Sequence, residues 1–201
     1  MVTDLEITVE DRRQLERVAT QFTRDKTNEH IFYDLMFCIC SPGVKFHYNL
    51  QANQNLIDND YYRKNITTQR LWKLLRPTRW YRNKTKCVQS AKKLFPDVLA
   101  ILDNGMLMQV EKRDFLVKNV RGLGMKTASH FLRNCGADDL AIVDVHVLNF
   151  MGAEQPSGKK RYMEIETGFR DEARRYKLSV AKLDMLVWKK FSGVPWEEFT
   201  M

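Results

Sequence analysis

The sequence lacks any long apolar run. No stretch approaches the roughly 20 apolar residues that a membrane-spanning helix needs. The first ten residues carry acidic side chains and do not show the basic-then-apolar order of a secretion signal. We therefore expect an intracellular protein with no membrane partner, located in the cytoplasm or nucleoid, or in the nucleus if the source is eukaryotic.

Cysteine is also scarce and scattered. The four cysteines are Cys38, Cys40, Cys87 and Cys135, and no two of them form a CxxC pair. This spacing excludes a clustered four-cysteine iron–sulfur site, and no zinc-ligand set is evident. We predict reduced, mostly buried thiols and no protein-bound metal centre.

Positive charge, in contrast, is abundant. Lysine and arginine number 33 against 25 acidic residues, which gives a formal net charge of +8. Such a balance favours a polyanionic partner, nucleic acid first, although a merely soluble basic protein has the same composition. Hydrophobic residues make up 44% of the 201 residues, enough for one globular domain or two small lobes.

Apolar residues recur at helical spacing along almost the whole chain, and no convincing alternating strand, repeat or low-complexity tract is evident. The pattern predicts an all-α protein of about ten helices. One helix is expected to follow a cap at Asn28 and to stop at Ser41–Gly43. Another is expected to run from Asn83 to Phe95 and to be broken by Pro96.

The most specific local signal is the stretch from Val120 to Ala128, between two helical patterns. Gly122 and Gly124 allow a tight turn with positive φ and the close approach of another backbone. The N-terminus of the following helix then forms an anion site, which suits a DNA phosphate. The alternative is a helix–turn–helix corner whose glycines serve packing alone.

Lys126 and Asp144 are the candidate catalytic pair. Lys126 lies in the first turn of the second helix, where the helix dipole together with partial burial would disfavour a cation and supply the free amine of a nucleophile. The alternative is a surface lysine that contacts a phosphate. Asp144 is the single acid in the apolar run from Ala141 to Val147. Near the amine its carboxylate could assist base departure and manage protons, or it could simply cap the helix beginning at Val145.

These two stretches, GLGMK at 122–126 and IVDVH at 142–146, resemble the signature of the helix-hairpin-helix DNA glycosylase/lyase superfamily. The resemblance implies that Lys126 attacks the anomeric carbon of a damaged nucleotide, forms a Schiff base and cuts the strand by β-elimination. It identifies Asp144 as the essential carboxylate. It also implies DNA contacts by Gly122, Gly124 and Thr127 and, with packing as the alternative, by His146.

Within this superfamily the chain is similar to the compact archaeal-type 8-oxoguanine DNA glycosylases, over most of Phe32 to Lys190. The resemblance implies a two-lobed all-α architecture with the active site in the cleft between lobes. One lobe is expected at 29–135, ending in the helix-hairpin-helix at about 107–134. The second is expected to combine 1–28 with 136–201. The expected protein is a monomer whose partner is double-stranded DNA containing a damaged base.

A late helix suggests a base pocket. Asp184 falls on its apolar face, one turn before Trp188. A buried carboxylate needs donors, which the edge of a flipped purine supplies, and an indole offers a stacking plane. The alternative is that Asp184 caps another helix and Trp188 fills the core.

Relatives end shortly after this helix, whereas this chain continues through 191–201.

Aromatic and cationic residues alternate from Arg79 to Lys84. This composition suits stacking into a duplex gap and phosphate contact, or else a solvated basic helix start. By resemblance, Trp80 lines the base pocket, Tyr81 wedges into the duplex and Arg82 touches the orphaned cytosine. Lys84 is predicted to contact DNA.

The sequence thus predicts a bifunctional glycosylase and abasic-site lyase that excises 8-oxoguanine. Two alternatives remain at this level: a glycosylase/lyase for another oxidised base, and a non-catalytic helix-hairpin-helix DNA-binding protein. No cofactor is required by the predicted chemistry, and a monovalent cation could bind the hairpin carbonyls.

Overall fold

A computed structural model describes residues 2–23 and 25–196, and within them all regular structure is helical, as predicted. The helices are α1 Val9–Ala19, α2 Asn28–Cys40, α3 Phe46–Asp58, α4 Thr68–Leu74, α5 Tyr81–Asp103, α6 Gln109–Asn119, α7 Met125–Asn134, α8 Val145–Met151, α9 Lys159–Arg175 and α10 Val180–Ser192. In this described part, no helix is both long and apolar enough to cross a membrane.

Two boundary predictions are wrong. Helix α5 continues through Pro96 to Asp103, because Phe95 and Val98 are buried on either side of the proline and tertiary packing offsets the lost backbone hydrogen bond. The cap of α2 is Thr27, whose hydroxyl accepts the N–H of His30, and Asn28 is the first helical residue. Thr67 caps α4, because its hydroxyl accepts the N–H of Arg70.

Helix α3 lies in a stretch where the apolar spacing does not indicate a helix, and its packing explains why. Its buried positions are Asn49, Ala52 and Leu56, so a polar residue interrupts the apolar face that points inward, while Phe46 and Leu50 are exposed. The buried amide of Asn49 donates to the carbonyl oxygen of Phe37 at 3.0 Å, which anchors α3 on α2.

Contacts within the chain divide it into two units. One unit is Asp25–Phe131, in which α2 packs against α3 and α5, and α5 packs against α4 and α6. Its aromatic core includes Phe32 edge-on to Phe95, with ring centroids 5.1 Å apart. This unit holds the turn at 120–124 and the start of α7.

The other unit combines Met1–Arg24 with Leu132–Met201. Here α10 packs against α1, α8 and α9. Leu15 and Val18 of α1 form a buried cluster with Met185 and Leu186 of α10 and with Trp196. This unit holds the segment that precedes Asp144.

Candidate active site and nucleic-acid interface

Gly122 makes the turn before α7 possible. Its φ is +95°, which L side chains rarely adopt. A Cβ at this position would lie 3.1 Å from both the Cβ and the Sγ of Cys87. Gly122 is therefore required by its positive φ, as the sequence predicts, and by packing against the Cys87 side chain, where the approach of a backbone was expected.

Gly124 is exposed and differs from Gly122 in both respects. Its φ lies outside the left-handed region, and among residues 2–23 and 25–196 no atom other than those of its chain neighbours lies within 4 Å of a Cβ built on it. Its N–H donates to the hydroxyl of buried Thr127 at 2.9 Å, and its carbonyl oxygen accepts from Ala128 at 2.9 Å. Thr127 thus closes the first turn of α7, and neither the backbone conformation nor a contact in the described part of the chain requires a glycine at position 124.

Lys126 is the second residue of α7, and its side chain is exposed. The preceding turn and the Thr127 bond to Gly124 fix the first turn of the helix around it. An exposed primary amine on a backbone fixed in this way is accessible to a ligand.

Asp144 lies in the other unit, where it caps α8. Its Oδ1 accepts the N–H groups of His146 at 2.9 Å and Val147 at 3.0 Å, so the predicted capping role is confirmed. The side chain is half-buried, and within the described residues of its unit Oδ2 accepts no hydrogen bond. Capping therefore orients the carboxylate through one oxygen.

His146 and Trp188 contact one another beside Asp144. Their rings meet edge to face, with centroids 6.4 Å apart and planes at 83°. Both side chains are half-buried. An aromatic pair that retains exposed surface can still receive a stacked or edge-on ligand.

Asp184 is buried, and its Oδ2 accepts the backbone N–H of Ile142 at 2.6 Å. This N–H belongs to the non-helical backbone two residues before Asp144. The contact gives Asp184 a positional role that sequence reasoning did not foresee.

Two further side chains reach the same backbone. Glu166 of α9 is fully buried, and its Oε1 accepts the N–H of Ala141 at 3.0 Å. The hydroxyl of Tyr162 accepts the N–H of Val143 at 3.2 Å and donates to the carbonyl oxygen of Ala141 at 2.8 Å. Sequence reasoning missed both residues. The available signal was an acid on the apolar face of α9, one residue after buried Ile165.

In the Asp25–Phe131 unit, Trp80 is an exposed residue in a strained conformation. Its φ of 56° places a bulky residue in the left-handed region just before α5. The indole is 57% exposed, and the guanidinium of Arg79 lies 4.5 Å from its ring centroid. An exposed tryptophan held against an arginine is suited to contact a nucleobase.

Arg82 and Lys84 have opposite environments, although two residues apart. Arg82 is exposed, and its guanidinium lies 5.1 Å from the ring centroid of Trp72 and 6.0 Å from that of Tyr81. Tyr81 itself is half-buried. Lys84 is buried, and its ammonium group donates to the carbonyl oxygens of Cys40 and, at 3.0 Å, Pro42. Burial lowers the pKa of Lys84. The geometry is at odds with the predicted phosphate contact, because Lys84 instead holds the turn after α2.

The chain after α10 packs within its own unit as far as Trp196. The indole of Trp196 is buried and donates to Oδ1 of Asp11 at 3.2 Å, while Lys190 pairs with Oδ2 of Asp11 at 2.9 Å. Burial alone would raise the pKa of Asp11, but hydrogen bonds from Lys190, Thr8 and Trp196 outweigh it and hold that pKa well below its usual range. The rest of the predicted 191–201 extension lies outside the described residues.

No cluster of three or more histidine, cysteine or acidic side chains with metal-binding geometry occurs in residues 2–23 and 25–196. All four cysteines are buried thiols outside any disulfide, as predicted. Burial raises the pKa of the Cys40 thiol to about 12.

Comparison with known proteins gives a consistent result. A family model described as 8-oxoguanine DNA glycosylase matches residues 14–178. A protein of Korarchaeum cryptofilum named 8-oxoguanine DNA glycosylase/AP lyase is 30% identical over 189 residues, covering 88% of this chain and 87% of the relative. A Fusobacterium nucleatum protein of the same name is 35% identical over 180 residues, covering 84% and 82%.

Solved structures match as well. The crystal structure of Methanocaldococcus jannaschii 8-oxoguanine DNA glycosylase superposes with a TM-score of 0.82 at 26% identity, over 92% of this chain and 89% of that one. The M. jannaschii glycosylase/lyase in complex with 15mer DNA containing 8-oxoguanine gives a TM-score of 0.78 at 27% identity, over 91% of each chain.

Proposed function

Because this chain belongs to the 8-oxoguanine DNA glycosylase family, we propose that it excises 8-oxoguanine from duplex DNA and then cleaves the abasic site through a Schiff base on Lys126. The observation that carries the catalytic assignment is the exposed amine of Lys126 in the first turn of α7, directly after the Gly122 turn. The partner that follows is duplex DNA with a damaged base, bound by a monomer.

In the first chemical step, the bond between C1′ and the base is replaced by a bond between C1′ and the nitrogen of Lys126. The free amine of Lys126 forms a bond to C1′ as the bond from C1′ to the base breaks, and the electron pair leaves with the base, which takes up a proton. Asp144 stabilises the positive charge that develops on the sugar and accepts the proton released by the amine. Its Oδ1 is held by α8, so in this proposal Oδ2 faces the reaction.

The second step cuts the strand. The sugar ring opens to an imine between C1′ and the lysine nitrogen, and the ring oxygen takes a proton. Removal of a C2′ proton then expels the 3′ phosphate as the C3′–O bond breaks, and water hydrolyses the imine to restore Lys126. The sequence of bond changes is neither an oxidation nor a reduction of the protein, so no redox cofactor takes part in this proposal.

DNA contact is proposed for the 122–127 turn. Gly124 supports it, because apart from its chain neighbours none of the described residues places an atom within 4 Å of its Cβ position, which leaves room for a phosphate. A monovalent cation at the hairpin carbonyls is part of the same proposal. Outside the turn, the proposed DNA contacts are Tyr81, Arg82 and His146. Lys84 is left out because its ammonium group is buried.

Base contact is proposed for Trp188 and Trp80, which both keep exposed indole surface. For Asp184 base contact stays a prediction, since its Oδ2 is bonded to Ile142. A Trp188→Ala variant should lose 8-oxoguanine excision while it still cleaves a preformed abasic site, because that substrate has no base to hold.

The test of the proposal measures free-base release and strand incision separately. The substrates are a duplex with 8-oxoguanine opposite cytosine, the undamaged duplex and a duplex with an abasic site. We expect release and incision only where a lesion or abasic site is present, and loss of incision in Lys126→Gln but not in the exposed-lysine control Lys93→Gln. Tight duplex binding without release or incision by the wild type would contradict the proposal.

A further inference from the structure

The segment just before Asp144 has an unusual source of hydrogen bonds. Ala141, Ile142 and Val143 are buried and non-helical, and their three consecutive N–H groups donate to three different side chains. The acceptors are Glu166 at 3.0 Å, Asp184 at 2.6 Å and the hydroxyl of Tyr162 at 3.2 Å.

Physical chemistry explains why such acceptors are needed. A buried backbone N–H must be paired, and an extended segment normally finds its partners on a neighbouring strand. No strand occurs in the described part of this chain, so side chains of α9 and α10 take that place. Two of the three acceptors are acidic, and charge-assisted hydrogen bonds to N–H groups are stronger than neutral ones.

The side chains that accept these bonds are themselves fixed. Tyr162 spans the segment, because its hydroxyl also donates to the carbonyl oxygen of Ala141 at 2.8 Å. Arg170 pairs with Oε2 of Glu166 at 3.4 Å and donates to the carbonyl oxygen of Asp139 at 2.9 Å. The backbone is thus held from Asp139 to Val143, up to the residue next to Asp144.

We propose that Tyr162, Glu166 and Asp184 form a cradle, here called the 141–143 cradle, that positions Asp144 for its step at the sugar. The inference rests on the proposed role of Asp144. The cradle fixes the backbone on one side of Asp144, and the N–H groups of α8 fix its Oδ1 on the other. The three side chains are positioning residues in this proposal, since they act through Asp144.

The principal variant is Tyr162→Phe, which keeps the ring and removes only the hydroxyl. Its matched control is Tyr176→Phe, because Tyr176 lies in the same unit and its hydroxyl also accepts a backbone N–H, that of Leu5 at 2.8 Å. Glu166→Leu removes a second acceptor, and Glu166→Gln retains a carbonyl oxygen for Ala141. Glu164→Leu, an exposed acid on the same helix, controls for the loss of charge.

The readout is kcat per folded molecule and duplex affinity, on 8-oxoguanine and on an abasic site. We expect Tyr162→Phe and Glu166→Leu to lower kcat roughly 10-fold on both substrates, with duplex affinity unchanged, since each misplaces a group that acts at the sugar. Glu166→Gln should restore most of the rate, and the two controls should match the wild type. A role in stability alone would lower the folded fraction and leave kcat per folded molecule unchanged.

Asp184→Asn separates two roles for that residue. A lower kcat per folded molecule on both substrates supports a role of Asp184 in the cradle. A lower kcat on 8-oxoguanine alone indicates that Asp184 contacts the base and does not belong to the cradle. Wild-type kcat per folded molecule in Tyr162→Phe and Glu166→Leu, with Asp144→Asn impaired, would overturn the inference but not the proposed function. Wild-type kcat in Asp144→Asn would overturn the catalytic role of Asp144 and the cradle with it.

Discussion

The turn before Lys126 and the segment before Asp144 are held in different ways. The turn depends on neighbours in sequence: Gly122 supplies the positive φ, and Thr127 bonds to Gly124 three residues away. The 141–143 segment depends on α9 and α10, with partners 19 to 42 residues further along the chain. The position of Lys126 is therefore sensitive to substitutions nearby in sequence, whereas the position of Asp144 is sensitive to substitutions far from it in sequence.

The largest effect is expected for Asp144→Asn, which tests whether the segment before Asp144 positions a catalytic carboxylate. Asparagine caps helices about as well as aspartate, so Asp144→Asn should leave stability within about 0.5 kcal/mol of the wild type. It removes the negative charge, and kcat should fall by about 10²–10³-fold. Urea denaturation and single-turnover excision measure the two quantities. Asp171→Asn, an exposed acid of α9, is the control, and equal activity in both variants would break the account.

The two glycines test the turn itself. Gly122→Ala should cost about 1–3 kcal/mol, because it combines a left-handed φ with a contact to Cys87. Gly124→Ala should change stability by less than about 1 kcal/mol, yet weaken duplex binding several-fold if a phosphate approaches there. Denaturation and fluorescence anisotropy with labelled duplex distinguish them. A stable Gly122→Ala variant, or full affinity in Gly124→Ala, would contradict the assignment.

A pH effect on stability is expected in the unit that holds Asp144. The pKa of Asp11 is depressed in the folded protein, so its contribution is complete above the unfolded value of about 4 and is lost as the pH falls below that value. Asp11→Asn should lower stability by about 1–3 kcal/mol at pH 7, and the gap to the wild type should narrow below about pH 4. Denaturation across pH 3–7 tests this, and a gap independent of pH would refute it.

The smallest effect concerns two neighbouring cations. Arg82→Ala should reduce the slope of log affinity against log salt by about 0.9, as expected for one lost phosphate contact. Lys84→Met should leave that slope unchanged and lower stability, because Lys84 binds carbonyl oxygens inside the protein. A reduced slope in Lys84→Met with an unchanged slope in Arg82→Ala would show that Lys84, and not Arg82, contacts a phosphate.

The same contrast explains what the sequence can and cannot predict. The Gly122 turn, the place of Lys126 in the first turn of α7 and the cap at Asp144 depend on short-range patterns, so the sequence indicates them correctly. Helix α5 was predicted too short because the local effect of Pro96 was outweighed by packing on both sides of it. The bonds of Tyr162 and Glu166 to the 141–143 backbone join distant parts of the chain, and no local pattern encodes them.

The most direct test of the central claim is borohydride trapping on a duplex with 8-oxoguanine opposite cytosine, followed by peptide mapping of the adduct. The account predicts a covalent adduct on Lys126 in the wild type, none in Lys126→Gln and a strongly slowed one in Asp144→Asn, with the undamaged duplex inert. An adduct on another residue, or an undiminished adduct in Lys126→Gln, would contradict it.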